Sequence, residues 1–243
     1  MRNKEIATTI LFLRHGATDF PEDRYYCDAV EDPPLNPAGL KQAETWAEKL
    51  KTKSIAAVYV SPSRRTQETA RLATQELSLP SQTLDGLRER SFGLWDGLTT
   101  EEIKRKHAAE WAGWKNDLLH FVPSGGESLV GFSKRVDQTI QELLSRHKIG
   151  PQAKNYDLRE VVGGRHGNHG VPHAGQTLLV VTHVGPIRMI VAAALGIPLE
   201  NVKRLVVGSC STTQIEYTES WPNLVSFSLR PESFYKERRN LSR

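Results

Sequence analysis

The chain has 243 residues, 25% of them charged, and a formal net charge of +4. That length suffices for a sizeable core, and no Lys/Arg stripe interleaved with aromatics marks a nucleic-acid surface. The two cysteines, Cys27 and Cys210, lie far apart without C-x-x-C spacing, which argues against a disulfide framework and fits a reducing, cytoplasmic compartment.

Residues 8–13 read as a short apolar strand that runs straight into Arg14, His15 and Gly16. The apolar run is too short for a membrane span and no small-residue cleavage site follows, so a mature N-terminus and no membrane partner are expected. Open α/β sheets place ligands at the carboxyl ends of their strands. Arg14 and His15 are therefore delivered together to the floor of a site. A guanidinium suits an anion and an imidazole can attack phosphorus. The bland alternative at this point is a strand end with two solvated polar residues.

A polar loop over 18–32 follows, with Arg24, Tyr25 and Tyr26. Asn36-Pro37 opens a helix as N-cap and first-turn proline, with Leu40, Ala43, Ala47 and Leu50 at helical spacing. Residues 56–60 read as a second strand, and 62 to about 77 as a helix carrying Arg64, Arg65 and Arg71. Thr99 and Glu102 form a capping-box pattern that opens a helix running towards Lys115. Trp95, Trp111 and Trp114 fall nearby and read as packing of a helical flap. From Ser128, Leu129, Phe132, Val136, Ile140, Leu143 and Leu144 mark a strongly amphipathic helix.

The pattern collapses over about 149–176, a Gly/His-rich insertion that holds His166, His169 and His173. These could bind a transition metal, but their spacing is loose and no cysteine joins them, so no metal is assigned. Arg165-His166-Gly167 repeats the early tripeptide without a preceding strand and reads as chance. Residues 178–182 form a third buried strand ending at His183. An apolar helix over 186–195 is closed by Gly196. Residues 211–218 and 224–229 read as a hairpin joined through Pro222-Asn223, and a basic tail covers about 231–243. The alternation argues for one α/β domain with a mostly parallel sheet.

Three strand ends thus carry the same chemistry: Arg14 and His15, then Ser61 to Arg65, then His183 with a helix behind it. Helix N-termini favour anions, so the ensemble suits a phosphoryl group.

The blocks Leu13-Arg14-His15-Gly16-Ala17-Thr18, Pro34 to Ala43, Ser61 to Ala70, Leu87 to Leu98, Gly125-Gly126-Glu127-Ser128 and Val181 to Arg188 resemble, in order, those of the histidine phosphatase superfamily. The resemblance implies a phosphoglycerate mutase-like fold, a three-layer α/β/α sandwich spanning 1–243 as one domain. It implies His15 as the phosphorylated nucleophile and Glu89 as proton donor to the leaving alcohol. It implies Arg14, Arg65 and His183 as holders of the phosphate oxygens. Thr18, Arg24, Arg88 and Val184 are candidate substrate contacts.

No cofactor or metal is implied, and the expected partner is a small-molecule phosphate ester; a homodimer stays open. Two places depart from the family pattern. Pro21 stands where relatives often have a phosphate-binding asparagine and offers no donor, a loss that Arg24 could offset. Val184 replaces the usual glycine after the second histidine. Cys27 also stands roughly where many relatives have glycine. The resemblance is compatible with a phosphomonoesterase, a phosphoglycerate-type mutase or a non-catalytic phospholigand binder. Phe92-Gly93 in place of Tyr-Gly, and Lys115 as the one cation between 111 and 121, lean towards the phosphatase. Intact His15, Glu89 and His183 lean away from the binder.

Overall fold

The computed structural model describes residues 7–26, 31–147, 175–218 and 220–232. Cys27, the three histidines of the insertion, the second Arg-His-Gly and the basic tail from residue 233 onward lie outside them. The strands are β1 Thr8–Arg14, β2 Ile55–Val60, β3 Ser81–Thr83, β4 Thr177–Thr182, β5 Thr212–Tyr217 and β6 Pro222–Leu229. They make one sheet in the order β3-β2-β4-β1-β5-β6. Strands β1 to β4 run parallel and β5 runs antiparallel to both of its neighbours.

The central strands are apolar at successive positions because both faces of the sheet are covered. Ile10 and Phe12 of β1 join Leu178 and Val180 of β4 in one core, against helices α5 (Leu129–Arg146) and α6 (Val184–Leu195). Leu11 and Leu13 join Leu179 and Val181 in the other, against α1 (Pro37–Leu50) and α2 (Arg64–Ala73). The result is the three-layer arrangement. Each fully buried large apolar side chain contributes about 1.5–3 kcal/mol to holding it.

Helix α1 begins as its sequence predicts, with Asn36 Oδ1 accepting from Gly39 N at 2.8 Å. Gly39 also lets the helix lie against the chain leaving β1: a Cβ there would stand 2.1 Å from the Ala17 carbonyl oxygen. Leu40, read as part of the apolar face, is partly exposed, and Trp46 fills the core instead.

The helix expected from Thr99 to Lys115 is two helices, α3 (Thr100–Lys106) and α4 (Ala108–Asn116), broken at His107. The predicted capping box opens α3, with Glu102 N donating to Thr99 Oγ1 and Thr99 N to Glu102 Oε2. These helices form a flap over buried Trp95, which packs against Trp111, Trp114 and Phe121. Pro222 opens strand β6 rather than belonging to the hairpin connection. Among the described residues no helix is long and apolar enough to cross a membrane.

Candidate active site

Strand register assembles the site. Leu13 and Val60 both pair with Val181 of β4, so three neighbouring parallel strands end at the same level. One residue further on, Arg14 pairs with Thr182. His15 N then donates to the Thr182 carbonyl at 3.0 Å, and His15 and His183 emerge side by side with ring centroids 5.3 Å apart.

His15 is buried, and its Nδ1 lies 2.8 Å from its neighbour Gly16's carbonyl oxygen. Only a protonated Nδ1 can donate there, so Nε2 carries the free lone pair. Burial, then the charges of Arg65 and Arg14, hold the imidazole well below its ordinary pKa, so it is neutral. His183 is lowered for the same first reason. Its Nδ1 accepts from Arg65 Nη2 at 3.0 Å and its Nε2 faces Ser61 Oγ at 2.8 Å. Arg65 is almost fully buried at the start of α2, and its Nη1 donates to the Tyr26 hydroxyl at 2.8 Å. Arg14 Nη1 donates to the Val207 carbonyl at 2.6 Å, while its buried Nε has no protein partner among the described residues.

Glu89 approaches from the loop between β3 and the flap. Its two oxygens accept from backbone N–H groups, Arg90 N at 2.8 Å and Gly185 N at 2.9 Å. Burial raises its pKa, and these two hydrogen bonds, Arg65 and Arg14 oppose the rise without cancelling it. The loop is clamped from α5. Arg135 donates to the carbonyls of Gly86, Arg88 and Glu89 and pairs with Glu127 at 2.6 Å. Glu127 in turn accepts from Ser91 N.

Arg14, His15, Arg65 and Glu89 line one cleft of about 990 Å³, together with Thr18 and Val184. Arg24 lines it too, but its guanidinium turns to the flap, donating to the Gly97 carbonyl and pairing with Glu102 at 3.2 Å. Arg88 pairs with exposed Asp85 at 3.2 Å and does not line the cleft.

The helix N-termini differ from the expectation. At α2, Asp32 takes the Arg64 N–H through both carboxylate oxygens, at 3.0 and 2.8 Å. At α6, Glu89 takes that of Gly185. One N–H at each of these two ends is thus taken by a carboxylate.

Several residues of the cleft escaped the sequence reading. Arg188 and Lys203 line it, yet on a helix and a short turn they look like solvated charges. Arg135 has no local signal, since its role depends on where α5 meets a distant loop. Arg90 stands beside Glu89 and that adjacency was its signal.

The model of the histidine phosphatase superfamily (branch 1) matches residues 10–151 and 171–230. The chain belongs to this superfamily, and is thereby classed with phosphatases. The unmatched residues 152–170 fall inside the Gly/His-rich insertion.

Among its relatives is the adenosylcobalamin/alpha-ribazole phosphatase of Escherichia coli, 27% identical over 87% of this chain and 91% of that one. Phosphoserine phosphatase 1 of Hydrogenobacter thermophilus is 27% identical over 78% of this chain and 77% of that protein. The solved mycobacterial glucosyl-3-phosphoglycerate phosphatase superposes with a TM-score of 0.70 at 27% identity, covering 92% of this chain and 99% of that one.

Proposed function

We propose that the chain is a metal-independent phosphomonoester hydrolase that works through a phosphohistidine at His15 on a small phosphorylated metabolite. Residues 1–243 then act as one domain carrying an insertion at about 149–176. The observation that carries this reading is a neutral His15, its Nε2 lone pair free, next to two arginines and opposite a carboxyl group with a raised pKa. The names of the relatives support the phosphatase class.

Arg14 and Arg65 supply the positive charge that phosphoryl transfer needs, and they hold the phosphoryl oxygens. A dianionic phosphate draws the Arg65 Nη2 donor off His183 Nδ1 and raises that imidazole's pKa, so the freed Nδ1 gains a proton and donates to a third oxygen. His15 Nε2 attacks phosphorus; the P–N bond forms as the bond to the leaving oxygen breaks. Protonated Glu89 gives its proton to that oxygen. Water then attacks the phosphohistidine, Glu89 takes the water's proton, and phosphate leaves with His15 restored.

The test is hydrolysis of 4-nitrophenyl phosphate in EDTA, with interconversion of 3- and 2-phosphoglycerate assayed in parallel. Phosphate release in the chelator without interconversion is expected. Release that requires an added divalent metal, or net interconversion, overturns the reading.

A further inference from the structure

The turn Gly208–Ser211 lies against the nucleophile, closed by Ser211 N donating to the Gly208 carbonyl at 3.3 Å. Among the described residues, Cys210 and Ser228 alone combine a side chain with a left-handed backbone, at φ values of 50° and 54°. Both serve this turn: Cys210 belongs to it, and Ser228 Oγ accepts from Gly208 N at 2.8 Å. Such a backbone is costly for a residue with a Cβ and persists only where the surroundings over-determine it. We infer that Trp46 of α1 is a positioning residue for the nucleophile: its indole N–H holds Cys210 in this conformation, and Cys210 holds the backbone of His15. This rests on the hydrolase reading above, because the role it assigns is in the attack by His15.

Each link is a buried hydrogen bond. Trp46 Nε1 donates to the Cys210 carbonyl at 2.8 Å, and both side chains lie in the core on the α1 and α2 side of the sheet. Among the described residues no second donor reaches that carbonyl, so losing the indole N–H would leave it buried and unsatisfied. Cys210 N donates to the His15 carbonyl at 3.0 Å.

The peptide that joins His15 to Gly16 is thereby held at both ends. Cys210 takes its oxygen, and Thr69 Oγ1 accepts from its nitrogen at 3.0 Å. The next carbonyl, that of Gly16, is the one beside His15 Nδ1, and it sets the direction of Nε2. Rotation of the held peptide would tilt the attacking imidazole.

Cys210 acts through its backbone. Burial pushes its thiol up to about 12, so the thiol stays protonated and fills core space. Ser209 is no substitute for the Cys210 N–H. Its Oγ lies 3.3 Å from the His15 carbonyl oxygen and 3.4 Å from Gln42 Oε1, and its single proton serves one of them at a time.

Trp46→Phe keeps a ring in the core and removes the donor. Its kcat/KM on 4-nitrophenyl phosphate should fall about tenfold or more, as a slightly misplaced nucleophile implies. The competitive inhibition constant of inorganic phosphate, which reads the arginines and His183, should stay at the wild-type value. Adding Cys210→Gly to Trp46→Phe should recover most of the lost kcat/KM, because glycine takes a left-handed backbone without help. Val58→Ala opens the same core away from this link. It should lower the urea midpoint and leave kcat/KM unchanged. Rates are taken where urea curves show each variant folded. Trp46→Met, whose flexible side chain suits irregular core space, stands in if the phenylalanine variant does not fold.

An undiminished kcat/KM in the Trp46 variant, an equal loss in Val58→Ala, a matching rise in the phosphate constant, or a loss that Cys210→Gly leaves in place overturns the inference. Failure of the wild-type protein to hydrolyse 4-nitrophenyl phosphate would instead strike the hydrolase reading, so the two failures are distinguishable.

Discussion

The backbone N–H of Gly185 donates to Oε2 of Glu89 at 2.9 Å, and a Cβ on Gly185 would stand 1.8 Å from Oε1 of the same carboxylate. The first turn of α6 thus fixes where Glu89 sits, and a side chain at position 185 would have to push that carboxylate aside. His183 lies two residues earlier, so one short segment sets both the second histidine and the acid.

Gly185→Ala should therefore displace Glu89 while sparing the fold's core. Hydrolysis of an alkyl phosphate, whose leaving group needs a proton, should fall about 100-fold, the scale of one general-acid contribution. Hydrolysis of 4-nitrophenyl phosphate, whose leaving group does not, should fall much less in the phosphorylation step. Glu89→Gln should give the same split. The split is read in kcat/KM, which reports the phosphorylation step for each ester, and equal losses there would remove Glu89 from the acid role.

Arg135 is a positioning residue for that same loop. It reaches three backbone carbonyls and Glu127 from α5. Arg135→Met should cost roughly 2 kcal/mol of stability, the value of losing charge-assisted hydrogen bonds in a partly buried setting. It should also lower kcat/KM on alkyl phosphates more than on aryl phosphates. Urea denaturation combined with the two-ester comparison separates these effects. A purely structural clamp would lower both rates alike.

The pH dependence follows from the two opposite shifts. His15 must be neutral, and its pKa lies well below 6.5. Glu89 must be protonated, and its pKa lies above 4.5. Hydrolysis of an alkyl phosphate should therefore decline on the alkaline side as Glu89 ionises, with no loss at the ordinary histidine pKa. A profile of kcat/KM that drops as pH falls through about 6.5 would contradict the neutral His15.

Stability carries its own sign. His15 and His183 bind protons more readily unfolded than folded, because burial lowers both. Their contribution is fully present above the unfolded pKa and is lost as pH falls below it. Urea midpoints should drop between about pH 7 and 5, and the slope should be shallower in His183→Asn. A wild-type midpoint that is flat over that interval would show that burial does not depress these imidazoles.

How much of this was legible in the sequence depends on whether a feature is local. The apolar run before Arg14 and the six-residue apolar stripe of α5 were readable because buried strands and amphipathic helices write their environment into a few adjacent residues. The Thr99–Glu102 box was readable because both partners lie within one turn. Strand β3 was not: Ser81-Gln82-Thr83 is polar and exposed, and only its pairing with β2 makes it a strand. The break at His107 was hidden because no Gly or Pro marks it.

The same distinction governs the site. Arg14, His15, Arg65, Glu89 and His183 sit beside recognisable strand and helix ends, and the structure brings them together. The assignment of Arg24 to the flap and the reach of Arg135 depend on partners tens of residues away. Arg188 and Lys203 face the cleft only because α6 and the turn after it fold beneath the flap. Lys115 is the one lysine or arginine between 111 and 121, whereas these cations reach the cleft from a distant part of the chain.

The central claim is the covalent phosphohistidine, and Glu89→Gln offers the most direct view of it. With 4-nitrophenyl phosphate the first step needs no acid, whereas release from the histidine needs the base that this variant lacks. The variant should be mixed with the ester, quenched in alkali and digested. Peptide mass spectrometry should find one phosphoryl group, labile to acid, on the peptide that carries His15. Steady turnover with no phosphoryl group on His15, or with the group on another residue, would contradict the account.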